Sequence, residues 1–221
     1  MKNGLILSSG THIYMIRNIS AIFVTWNRPE FTQQTLESFF ATMPEAVNEV
    51  IVVDNHSDEP TLNYLRKITM EGKICLIEQP TNAGWGYAGN IGIAQAKNDW
   101  ILISNNDTTF KAGWYEPCMA AYDKYNIGVL GLWKHPTGHT ILRTYDDLIV
   151  KDQMPAISWL LKKERIAELG GLPVAGACIN ADGSPRQGGC GEDTGFCDRA
   201  KAKGYLVCGL IEDYAQHITN T

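Results

Sequence analysis

Nowhere do the 221 residues hold a run approaching the ~18 apolar residues that a membrane-spanning helix requires. A short apolar stretch from Gly4 to Leu7 follows a single Lys, but Ser8, Ser9 and Gly10 cut it before signal-peptide length. These absences set the expectation of a cytoplasmic protein without a transmembrane segment, whose membrane contacts would come through a partner or a lipid-linked substrate. No C-x-x-C pair occurs among the six cysteines, Cys75, Cys118, Cys178, Cys190, Cys197 and Cys208. That excludes a zinc ribbon or a thioredoxin-like site and reads them as reduced thiols, mostly core packing. There is no internal repeat, no low-complexity tract and no like-charge block of the kind that marks a disordered tail. Positive charge is short as well: the formal net charge is −5, which argues against stable nucleic-acid binding or an anionic-membrane surface.

What is present is an ordinary globular composition, 44% hydrophobic and 19% charged, in a chain long enough for one domain with a substantial core. Its first half alternates strand and helix. Ile19 to Trp26 is apolar and β-branched, Asn27-Arg28-Pro29 breaks it, and Glu30 to Phe40 follows with helical spacing at Phe31, Thr35, Leu36 and Phe39. Val50 to Val53 is a short run of the kind buried on both faces of a parallel sheet, with a helix expected from Thr61 to Thr69. A third strand spans Ile74 to Glu78, a small-residue helix runs from about Tyr87 to Ala96, and a fourth strand covers Trp100 to Ser104. Beyond Phe110 the pattern predicts a helix over 113–124, strands over 127–132 and 157–162, a helix over 163–169 stopped by Gly170-Gly171, a helix over 194–203 and a strand over 205–210. The polar stretch from His135 to about Pro155 reads as a mobile loop, and Pro173 to Gly191 as a second Gly- and Pro-rich loop.

Polar clusters recur where the strands end. In a parallel α/β sheet, ligands collect beyond the carboxyl ends of the strands, where loops and helix N-termini converge. A residue such as Asp54 or Asn105 taken singly is a turn former or cap; it is recurrence on several strands of one sheet that points to a site. Asp54 is placed to accept from a nucleobase N–H or a ribose hydroxyl, and Asn105-Asn106-Asp107 to hold a divalent cation against phosphates. Glu192-Asp193 precedes the helix expected at 194; acids there favour a helix N-terminus, and a carboxylate there can also serve as a general base. His217, near the end of the chain, offers an imidazole of the kind that ligates metals. GWGYAG at Gly84 to Gly89 matches G-x-G-x-x-G, yet Gln79 to Ala83 separates it from the preceding strand, whereas a dinucleotide fingerprint follows its strand at once.

Taken together, IFVTWNRPE, IVVDNHSDE, NAGWGYAGNIGIAQA, ILISNND, SWLLKKERIAELGGL and GEDTGFCDRAKAKGY resemble, in order, the motifs of glycosyltransferase family 2, the inverting GT-A group that includes rhamnosyltransferases. The resemblance covers about Ile19 to His217. It implies an α/β, GT-A fold: a mainly parallel, Rossmann-like central sheet flanked by helices, with a smaller acceptor-side subregion. It implies one domain over 1–221, with a nucleotide-sugar half at 17–110 and an acceptor half at 111–221. The implied reaction moves a sugar from a UDP- or dTDP-sugar to an acceptor hydroxyl with inversion. By the same carry-over Thr25, Asn27, Arg28, Asp54, Asn55, Asn82, Gly84, Asn90, Asn105 and Asn106 bind the nucleotide, and Asp107 with His217 holds Mn²⁺ or Mg²⁺. Asp193 is the base, and Glu192 supports it or touches the acceptor. Asn105 replaces the first acid of D-x-D, and Gly195 the last acid of E-D-x-D. The acceptor stays open among glycan, lipid-linked, protein and small-molecule classes, as does the oligomeric state. The alternatives are a sugar-phosphate nucleotidyltransferase, which usually opens with a Gly-rich phosphate loop absent at Thr25 to Pro29, and a non-catalytic sugar- or nucleotide-binding module.

Overall fold

The computed structural model of the protein describes residues 5–6, 14–133, 140–174 and 191–218. Its centre is a nine-stranded sheet with helices on both faces. The elements are β1 (Leu5–Ile6), β2 (Tyr14–Met15), β3 (Ile19–Thr25), α1 (Pro29–Thr42), β4 (Val47–Asp54), α2 (Glu59–Met70), β5 (Cys75–Glu78), α3 (Trp85–Gln95), β6 (Trp100–Asn105) and β7 (Thr108–Phe110). They continue as α4 (Tyr115–Lys124), β8 (Ile127–Gly131), β9 (Ile141–Thr144), β10 (Leu148–Lys151), β11 (Ser158–Lys162), α5 (Lys163–Glu168), α6 (Glu192–Ala202), β12 (Leu206–Leu210) and β13 (Ala215–His217). The order across the large sheet is β5-β4-β3-β6-β11-β8-β12-β10-β9. Strands β5, β4, β3 and β6 are parallel, as are β8 and β12; β11 and β10 run against their neighbours.

Strand β3 shows why the sheet is covered twice. All seven of its residues are buried, and their alternation divides them between two cores. Ile19, Ala21 and Phe23 pack with Leu36 and Phe39 of α1, Leu65 of α2 and Tyr122 of α4. Ile22 and Val24 pack on the other face with Ala88 and Ile93 of α3, Ile166 of α5 and Phe196 of α6. Helix α3 comes unusually close, because a Cβ at Gly92 would stand 2.5 Å from Ile22 Cγ2. That is the packing reason for the small residues in GWGYAGNIG.

Two expectations need correction, and one pairing goes beyond them. The stretch from His135 to Pro155 is not a loop throughout: Leu148 to Lys151 form β10, buried at every position and paired antiparallel with β12, and Ile141 to Thr144 form β9 at the edge. A four-residue strand is too short for periodicity to announce, and pairing with a distant strand creates it. Residues 135–139 of that stretch, and most of the expected loop from Pro173 to Gly191, lie outside the described residues, as do Cys178 and Cys190. Helix α6 begins at Glu192, so the two acids belong to its first turn, with Gly191 at the N-cap. Last, the two-stranded ribbon β7–β13 was not expected; it pairs His217 with Thr108.

Candidate functional site

The site lies beyond the carboxyl ends of β3, β4 and β6. Their register brings Thr25 opposite Asp54 and Val24 opposite Asn105, so three polar strand ends converge. After β3 the chain turns through two consecutive left-handed residues, Asn27 (φ 54°) and Arg28 (φ 58°), before Pro29 starts α1. Left-handed backbone without glycine costs about 1–3 kcal/mol per residue and persists only where its surroundings hold it. Here Asn27 is held on several sides: its N–H donates to Ser57 Oγ (2.8 Å), its Oδ1 accepts from the Asp58 N–H (2.8 Å), and its carbonyl accepts from Asn106 Nδ2 (3.0 Å). The turn sends the Arg28 guanidinium back across the cleft, where Nη1 donates to Asp107 Oδ2 at 2.9 Å.

Asp107 sits between β6 and β7 and is 8% exposed. His217 reaches it through β13, with Nε2 3.2 Å from the same Oδ2, and the Ile218 N–H closes on the Asp107 carbonyl at 2.7 Å. Asp107 Oδ1 is buried and has no hydrogen-bond partner. One free carboxylate oxygen beside an imidazole nitrogen suits a divalent cation of the Mn²⁺ or Mg²⁺ type. Among the described residues no group of three or more His, Cys, Asp or Glu side chains could hold a metal by itself. The donor set therefore fits a cation completed by phosphate and water oxygens.

A cavity of about 290 Å³ opens above these groups, lined in part by Arg28, Asn55, Asn82, Asn105, Asn106 and Asp107, with Trp26 and Trp85 at its walls. Asn55 and Asn82 are locked together, Asn55 Nδ2 donating to Asn82 Oδ1 (2.7 Å) while Asn55 Oδ1 accepts from the Ala83 N–H (3.1 Å). Gly84 (φ 90°) turns the backbone into α3, with its N–H on Asn82 Oδ1 at 3.0 Å. A second cavity of about 330 Å³ is lined by Pro155, Ala156, Ile157, Gly191, Glu192 and Asp193. Trp85 and Asn105 line both, so the cavities adjoin.

The remaining predicted residues fall in different places. Thr25 and Asp54 are buried beneath the cleft and do not line it, although Thr25 Oγ1 and Asp54 Oδ1 lack partners; Asp54 Oδ2 accepts from the Ser57 N–H at 3.0 Å. Asn90 lines neither cavity. Its amide is used at both ends by Leu172, whose carbonyl accepts from Nδ2 (2.9 Å) and whose N–H donates to Oδ1 (2.8 Å), so it pins the segment after α5 onto α3. Asn27 likewise holds the turn. Asp193 caps locally, its Oδ1 accepting from the Thr194 N–H at 2.7 Å. The Glu192 carboxyl is pushed above the ordinary glutamate range by burial and by the neighbouring Asp193, with the nearby Gly86 N–H opposing the rise.

Residues that the sequence pattern did not single out are Trp26, Trp85 and Pro155 to Ile157. Aromatics beside glycines in a predicted helix start were the available signal for Trp85; nothing local marked Pro155.

Comparison with known proteins places this geometry. A model of the family described as Glycosyl transferase family 2 matches residues 20–176. GalNAc-T7, solved with UDP, GalNAc and Mn²⁺, superposes with a TM-score of 0.71 at 16% identity, covering 92% of this chain and 43% of its own. S. aureus TarS in complex with UDP-GlcNAc gives 0.69 at 17% identity, covering 92% and 59%. The mannosyltransferase PcManGT from Pyrobaculum calidifontis, with GDP-Man and Mn²⁺, gives 0.62 at 17% identity, covering 87% and 56%. The chain thus spans about half the length of these structures, and at such identities the likeness is one of fold. None of the curated proteins matches the chain.

Proposed function

Because the chain belongs to glycosyl transferase family 2, we propose that it transfers a sugar from a nucleoside-diphosphate donor, a UDP- or dTDP-sugar, to an acceptor hydroxyl with inversion at the anomeric carbon. The observation that carries this reading is the pair of adjoining cavities, one built around Asp107 and the other around Glu192 and Asp193. Direct displacement needs that arrangement: a leaving diphosphate on one side of the sugar and a base on the other.

In this reading the half at 17–110 binds the donor and the half at 111–221 binds the acceptor, with His217 crossing back to complete the donor side. The nucleoside lies over Asn55 and Asn82, where Trp26, 54% exposed, offers a ring at the rim. Arg28 presents positive charge to the diphosphate. A divalent cation held by Asp107 and His217 would supply Lewis-acid stabilisation of the leaving diphosphate. Asp193 takes the proton from the acceptor hydroxyl as its oxygen bonds to the anomeric carbon and the bond to the diphosphate oxygen breaks. Glu192, beside Asp193 in the first turn of α6, supports the base or touches the acceptor. The acceptor is a glycan end, a lipid-linked or protein hydroxyl, or a small molecule. No helix among the described residues is long and apolar enough to cross a membrane. The reading keeps the chain in a reducing, cytoplasmic setting, to which the buried thiols of Cys118, Cys197 and Cys208 are suited.

A thermal-shift screen of nucleotide sugars with Mn²⁺, followed by an assay for nucleoside diphosphate release, tests the whole proposal, since ligands that prefer the folded state raise the melting point. Stabilisation with release supports a transferase. Stabilisation without release under any acceptor would leave a binding module, and no stabilisation by any nucleotide would exclude the site.

A further inference from the structure

We propose that Trp85 is the residue that recognises the transferred sugar, its indole N–H donating to a hydroxyl of the hexose. This deepens the reading of the cleft as a nucleotide-sugar site and rests on it. The first observation is position. The anomeric carbon must lie between the phosphate it leaves and the hydroxyl that attacks it. A side chain lining both the cavity of Asp107 and that of Asp193 therefore borders the sugar, and Trp85 lines both.

The second observation is an unanswered donor. Trp85 Nε1 is buried without a hydrogen-bond partner, and so is Asn105 Oδ1, which belongs to the other residue shared by the two cavities. Donor and acceptor together match a hydroxyl, which can accept from the one and donate to the other. An amide at 105 also leaves the diphosphate without a second carboxylate to repel it, so the departure from D-x-D is consistent with a hydroxyl-binding role.

The third observation is rigidity. The Trp85 ring meets Trp159 edge-on, with centroids 5.8 Å apart and planes at 85°. Trp159 is itself fixed, because its Nε1 donates to the Pro155 carbonyl at 2.8 Å and its ring stacks on Phe196 of α6 at 5.8 Å and 24°. The aromatic row runs from the donor side to the helix carrying Glu192 and Asp193, so the indole is held in place before ligand arrives. An indole at that position offers a flat apolar face suited to the C–H side of a pyranose and a single N–H for a hydroxyl.

The test is calorimetry in Mn²⁺ with UDP, with a UDP-hexose bound by the wild type, and with monodeoxy analogues of that donor. Trp85→Phe keeps a ring against Trp159 and removes the N–H. The expected result is a UDP affinity within about twofold of wild type and a UDP-hexose affinity weakened roughly 3- to 10-fold, the loss of one neutral hydrogen bond. One monodeoxy donor should bind the wild type more weakly by a similar factor and should no longer be distinguished by Trp85→Phe. Equal weakening of UDP and UDP-hexose, or no change in either, overturns the assignment. If Trp85→Phe does not fold, the deoxy series on the wild type decides, since no loss at any position overturns it as well. A wild type that binds UDP and UDP-hexose while failing these comparisons refutes only the role of Trp85; one that binds no nucleotide refutes the underlying reading too.

Discussion

His217 Nε2 stands 3.2 Å from Asp107 Oδ2, although one residue follows β6 and the other closes the last strand of the chain. Backbone pairing enforces the meeting, since β13 runs antiparallel to β7 with His217 opposite Thr108. Arg28 contacts the same oxygen from a third element, while Oδ1 is buried without a partner.

If that pair holds a cation, its two members should matter to metal more than to fold. His217→Ala is expected to weaken Mn²⁺-dependent UDP binding by about 10- to 100-fold, the range seen when even an outer partner of a metal site is lost. Chelation with EDTA should lower wild-type UDP affinity and leave Asp107→Asn unaffected. Titrations of UDP with and without Mn²⁺ provide the comparison; wild-type binding indifferent to metal would remove both residues from the role.

Asp193→Asn should separate binding from chemistry. The change preserves shape at the second cavity and leaves Asp107, Asn55 and Asn82 untouched, so UDP affinity should stay at the wild-type value. Transfer should fall by about 100-fold or more, as loss of a general base commonly does. Rapid turnover in this variant would assign the proton to another group.

Glu192 predicts a dependence of stability on pH. Burial raises its carboxyl above the usual value of 4.5, so the folded chain holds that proton more tightly than the unfolded chain. Stability contributed by the neutral form is present at low pH and is lost as pH rises from the ordinary glutamate range through the folded value. Glu192→Gln avoids that loss. Its melting temperature should exceed wild type at pH 7 and converge with it below about pH 4, where both states are protonated. A variant less stable than wild type at pH 7 but equal to it at pH 4 would reverse the sign.

Gly86→Ala should destabilise, against the usual gain from alanine in a helix. A Cβ there would come within 1.8 Å of the Pro173 carbonyl oxygen, a backbone atom that no side-chain rotation can remove. Overpacking of this kind costs about 1–3 kcal/mol. Because that Cβ would also stand 3.4 Å from Glu192 Oε1, transfer should decline along with the chemical-denaturation midpoint.

Local chemistry made much of the first half of the chain legible. Strands β3 and β6 were readable because burial on both faces demands unbroken apolar runs, and α1 because its inward face recurs with the helical period. The order of polar strand ends, Asp54 and then Asn105 to Asp107, also stood in the sequence. Asn90 shows the limit. An asparagine in a glycine-rich block gives no local sign that its amide will fasten two backbone groups of Leu172, and only the packing of α3 against that segment shows it.

By itself, then, the sequence determined a doubly covered α/β sheet and the chemical kinds of group available at its edge, because apolar period and turn residues act over a few neighbours. Tertiary structure decided which of those groups meet. Strand pairing delivered His217 to Asp107, aromatic packing set Trp85 between the two cavities, and β10 became a strand when β12 offered it a partner. Those outcomes depend on contacts between residues far apart in the chain, and no local pattern encodes them.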